Sequence, residues 1–145
     1  MTYFYRADLS NYRQAKYPFF IKIKSTGELH DYYERTKGIY QYDQGYYSEA
    51  SMAESVFCSS SEYDDDFFKS NFLLFIVLEE GSGSVRHKVA HELSVDGSLS
   101  VDITRIIPGI GTADMAQWHI MLVLDRALSE KDIIISLTEE QLPVY

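Results

Sequence analysis

The sequence predicts an α+β fold: a mostly antiparallel β-sheet of about six strands, as a sandwich or partial barrel, with two or three short helices mainly in the N-terminal half. Three observations carry this. Strand-like apolar runs dominate the chain from Phe72 onward. Turn-length connections such as Asp96-Gly97 join neighbouring runs, which suits antiparallel pairing. Helix-start signals fall in the first half.

The elements follow in order. Phe19 to Lys24 alternates, with Phe19, Ile21 and Ile23 on one face and Phe20, Lys22 and Lys24 on the other, the pattern of a half-buried strand. Ser25 or Thr26 can then cap a helix to about Lys37, with Leu29, Tyr32 and Tyr33 at helical spacing and Gly38 at its end. Ile39 to Tyr47 has no clear period, and Ser48 to Phe57 is a candidate second helix. Asp64-Asp65-Asp66 suits the positive end of a short helix. A calcium loop would instead need ligands at alternating positions and a glycine, whereas these aspartates are consecutive and two phenylalanines follow.

Phe72 to Leu78 and Ala116 to Leu124 are apolar on both faces and read as central strands. Val85 to Val95 and Leu99 to Ile107 read as a hairpin, and parity fixes its register. A two-residue Asp96-Gly97 turn would set apolar residues against polar ones. A three-residue loop, Val95-Asp96-Gly97, with glycine left-handed, pairs Ser94 with Ser98, Leu93 with Leu99, His91 with Val101 and Val89 with Ile103. His87 and His91 then share the apolar face. Asp132 to Leu137 is a final strand, and Thr138 to Tyr145 reads as a peripheral tail.

The 145 residues read as one domain, with a strand-helix part over about 17–70 and a β-rich part over about 71–137. Eleven of the twelve tyrosines lie at or before Tyr63, as a contact surface or as an amphipathic cover over a sheet face. A net charge of −9 disfavours nucleic acid and anionic membrane surfaces as partners. No run approaches the roughly 20 apolar residues that span a bilayer, so membrane insertion is not expected. The lone Cys58 permits no internal disulfide. Met1 to Arg6 lacks the apolar core of a secretory signal, so the chain reads as cytoplasmic as it stands, or exported if a signal was removed.

Two glycine loops hold most of the unusual residues: Gly81-Ser82-Gly83-Ser84 and Pro108-Gly109-Ile110-Gly111-Thr112. The first is not a dinucleotide fingerprint, because Arg86 stands where a third glycine belongs and a strand follows. It can be a tight turn, or an anion or peptide-terminus site built from loop N–H groups and Arg86. His87, His91 and His119 with Asp114 could hold zinc, but on a strand His87 and His91 stand roughly 13 Å apart along the chain. Ser82 or Ser84, His87 or His119, and Asp114 contain the residue types of a hydrolase triad.

The segments Asp64-Asp65-Asp66-Phe67-Phe68, Glu80 to His87 and Gly111 to His119 resemble a family of small uncharacterised bacterial proteins. More distantly, the strand, glycine loop and strand of the back half resemble the PrcB-like domain, named for a subunit that stabilises a protease complex. The usual loop there, threonine followed by two glycines and an aromatic, is replaced here by Ser82-Gly83-Ser84-Val85. The resemblance implies a non-catalytic β-rich binding domain, often exported, whose partner would be another protein or a protease complex.

The sequence thus points to a protein-binding or complex-stabilising module without a cofactor or metal. Hairpin topology brings both glycine loops to the end away from Asp96-Gly97, making Ser82, Ser84, Arg86, His87, Thr112, Asp114 and His119 one candidate patch. A small hydrolase or metal-dependent site on the same loops is the alternative. Self-association through a strand such as Phe19–Lys24 is a third reading.

Overall fold

The structure is a computed structural model that describes residues 1–10, 16–45 and 50–143. Its elements are β1 (Thr2–Arg6), β2 (Phe19–Ile23), α1 (Thr26–Thr36), α2 (Asp65–Ser70), β3 (Asn71–Glu80), β4 (Arg86–Leu93), β5 (Leu99–Ile107), β6 (Ala116–Asp125) and β7 (Ile133–Gln141). A π-helical turn, Ala53–Phe57, precedes α2, and a 3-10 turn, Arg126–Leu128, follows β6. The strands form two open sheets, ordered β1-β6-β3-β2 and β4-β5-β7. β1 with β6, β2 with β3 and β4 with β5 are antiparallel, whereas β5 and β7 run parallel. This is the expected α+β class, with seven strands among the described residues and no closed barrel.

The chain divides into two compact units, Met1–Glu79 with Ala116–Ser129, and Glu80–Met115 with Glu130–Tyr145. In the first unit, β3 and β6 occupy the centre of the four-stranded sheet. Phe72 through Leu78 and Ala116 through Met121 are buried on both faces, as their unbroken apolar runs require. α1 begins where Ser25 Oγ accepts the Glu28 N–H at 3.0 Å. α2 begins where Asp64 Oδ1 accepts the Phe67 N–H at 2.9 Å. Thr26 Oγ1 donates to Asp65 at 2.7 Å, and Lys69 reaches Asp66 at 2.9 Å, so the aspartate run is spent on capping and pairing. The tyrosine-rich front packs as a cover: Tyr32, Tyr40, Tyr42 and Tyr63 are buried in one core with Phe68, Phe75 and Met121.

The second unit carries the hairpin. Leu93 pairs with Leu99, His91 with Val101 and Val89 with Ile103. The Ser94 N–H donates to the Ser98 carbonyl at 2.8 Å, and Gly97 has φ +88°. The three-residue loop inferred from parity is therefore present.

The differences from expectation lie where pairing is remote. β1 is a strand that the sequence reading did not assign; its partner β6 is more than a hundred residues away, with Thr2 opposite Leu122. The second helix expected over Ser48–Phe57 is one π-helical turn, its start set by Ser51 Oγ accepting the Glu54 N–H at 3.2 Å; residues 46–49 lie outside the description. The last strand does not end at Leu137. It continues to Gln141, because β5 supplies partners as far as Ile107, so Thr138 to Gln141 is strand and not tail. Val144 and Tyr145, the end of that expected tail, lie outside the described residues. His91 has the parity of the apolar face, but it is exposed, as is Leu93, because β4 is an edge strand.

Candidate functional site

The candidate site is the pair of glycine loops in the second unit. The chain leaves β3 at Glu80, makes a short loop through Gly81-Ser82-Gly83-Ser84 and enters β4 at Arg86. The second loop, residues 108–115, leaves β5 at Ile107. Since β4 and β5 are antiparallel, the start of one and the end of the other meet, with Arg86 opposite Ile106.

The loops are bonded to each other. Ser82 Oγ lies 2.7 Å from Ser84 Oγ and 3.0 Å from Thr112 Oγ1. The Thr112 N–H donates to Ser84 Oγ at 3.1 Å, and the Gly83 N–H donates to Asp114 Oδ1 at 3.2 Å. Arg86 Nη1 donates to the carbonyls of Gly83 at 2.7 Å and Val85 at 3.2 Å. Gly111 makes this approach possible. A Cβ there would stand 3.0 Å from Ser82 Oγ and 3.1 Å from Ser84 Oγ. Ser82, Ser84, Arg86, Thr112 and Asp114 are thus brought together, chiefly as braces of the two loops.

His87 faces a different set of groups. Its Nε2 donates to Glu80 Oε2 at 2.8 Å. Arg105 approaches the same carboxylate side-on, with Nε 2.9 Å from Oε2 and Nη2 2.6 Å from Oε1. Arg105 Nη1 also donates to Glu139 at 2.6 Å. The Glu80 and His87 side chains are almost fully buried. Burial alone would raise the Glu80 carboxyl, but the hydrogen bonds from His87 and Arg105 outweigh it and hold the group below its ordinary range. Glu80 is thereby fixed as an anion held by β4 and β5.

His119 does not belong to the patch. It lies in the first unit and is wholly buried, so it offers no surface to a partner. Tyr32 Oη is 2.6 Å from its Nε2, and Tyr40, Tyr42 and Phe75 present edge-on rings around it. Burial drives its pKa down to about 3, so the imidazole is neutral, and its partner is the Tyr32 hydroxyl, which burial keeps protonated. Nδ1 has no partner among the described residues.

Among the described residues, no three His, Cys, Asp or Glu side chains are grouped to hold a metal ion. The sequence reading missed what the loops present outward. Ile110 is 78% exposed and Met115 is 52% exposed. Both are large apolar residues in a loop with no strand period, which is the sequence signal that could have flagged them. It also missed the Glu80–His87–Arg105 cluster, although two further steps of the hairpin register set His87 opposite Arg105. Against known proteins, the chain matches no family model, no curated protein and no solved structure.

Proposed function

We propose that the protein is a non-catalytic binding module that docks another protein through the two glycine loops. One observation carries this reading: the loops are locked to each other by hydroxyl and carboxylate hydrogen bonds while Ile110 and Met115 remain exposed. Large apolar side chains on a braced loop suit docking, because little conformational entropy remains to be lost on binding. Buried apolar anchors inside a polar rim are the usual centre of binding energy. The resemblance to the PrcB-like domain implies the same class, a module that stabilises a complex.

Arg86 and Asp114 are poor probes of this surface, since both hold the Gly83 peptide. Ile110 and Met115 are better, because replacing them leaves the braces intact. Wild type and an Ile110→Lys/Met115→Lys variant would be compared by affinity capture from native lysate and envelope, followed by titration of the purified captured protein. We expect one enriched partner and a loss of affinity of at least about tenfold in the variant. Equal affinity for both would overturn the reading. Recovery of only the protein itself would favour self-association through an edge strand such as β2.

A further inference from the structure

The first unit contains a cavity of about 470 Å³ bounded by β2, α1 and the segment after α1. That volume is in the range of small-molecule sites. Tyr17, Phe19, Ile21, Ile39 and Tyr40 form much of its wall. The hydroxyls of the wall are already hydrogen-bonded to one another or to their neighbours. Tyr17 and Tyr40 share a hydrogen bond at 3.0 Å, and Thr36 Oγ1 donates to the Tyr32 carbonyl at 2.6 Å. Burial raises the pKa of Tyr17, Tyr32 and Tyr40, so these hydroxyls stay neutral.

Among the described residues, Arg35 is the one charged residue in the lining, which contains no acid. It is exposed, and among the described residues it forms no ion pair. In a chain with 22 acidic and 13 basic residues, an unpaired cation on an apolar cavity is an unusual placement. Glu79 influences Tyr17 and Tyr40 electrostatically, but it is outside the lining and accepts from Gln117 Nε2 at 2.9 Å. An anionic group is therefore favoured at the Arg35 end and disfavoured at the paired tyrosine hydroxyls.

We propose that this cavity binds a small monocarboxylate with an apolar body, the body lying against the aromatic wall and the carboxylate pairing with Arg35. A planar guanidinium meets a carboxylate in a two-point, charge-assisted contact that an alcohol cannot reproduce. The proposal is independent of protein docking by the glycine loops.

The test compares decanoate with decanol, which share a body and differ in the head group. Binding is followed by calorimetry on wild type, Arg35→Glu and Ile39→Trp. Wild type should bind decanoate at least about tenfold more tightly than decanol. Arg35→Glu should abolish that preference and leave decanol unchanged, and its surface position leaves folding intact. Ile39→Trp should weaken both ligands by filling the cavity. No binding of decanoate to wild type, no preference over decanol, or a preference that survives Arg35→Glu would each overturn the proposal.

Discussion

His119 shows how one buried side chain ties the fold to pH. Its pKa is lowered to about 3 in the folded chain from an ordinary 6.5, so the unfolded chain takes up a proton that the folded chain refuses. The sign follows from linkage: stability is full above pH 6.5 and falls as pH drops towards 3. At pH 4 the loss from this one group is about 3 kcal/mol. His119→Phe should remove that component. Urea denaturation at pH 7 and pH 4 should show wild type losing more stability than the variant by about this amount. Parallel losses in both proteins would mean that the ring is not held neutral. The place of His119 in a central strand was legible from the apolar run Ala116 to Leu124. Its tyrosine cage was not, because Tyr32, Tyr40 and Tyr42 come from a distant stretch.

The hairpin is the element that the sequence specifies most fully. Leu99, Val101 and Ile103 must face the core, and a one-residue slip would turn all three outward. That constraint, with one glycine in the turn, was enough to set both register and loop length. Gly97→Ala should therefore cost about 1 kcal/mol, because only glycine adopts φ +88° without strain. A shift in the denaturation midpoint at unchanged slope would show it, and an unchanged midpoint would contradict the left-handed turn. The helix caps were equally legible, since Ser25 and Asp64 act on N–H groups three residues away. β1 and the parallel pairing of β7 with β5 were not, because neither pairing is local. Nothing near Tyr3 names Met121 as its partner, and nothing near Ile133 names Leu99.

Across the molecule, the two compact units do not follow the front and back halves of the sequence. The chain passes from one unit to the other after Glu79, Met115 and Ser129. Composition alone could not show this, since β6 is apolar like β3 yet is separated from it by a whole hairpin. The candidate site was legible in part. Hairpin topology foretold that the two glycine loops meet, and Ser82, Ser84, Thr112 and Asp114 do join them, while Arg86 braces its own loop at Gly83. The roles of these residues as braces, and the exposure of Ile110 and Met115 beside them, depend on atomic positions that spacing does not give.

The most direct test of docking through these loops is site-specific photo-crosslinking in native cells. A photoreactive residue would replace Ile110 in one variant and Val95 in another. Val95 is even more open to solvent and lies in the turn at the other end of the hairpin. Docking through the glycine loops predicts one discrete crosslinked partner from position 110 and none from position 95. The same partner from both positions, a partner from position 95 alone, or no crosslink from either in folded protein would contradict it.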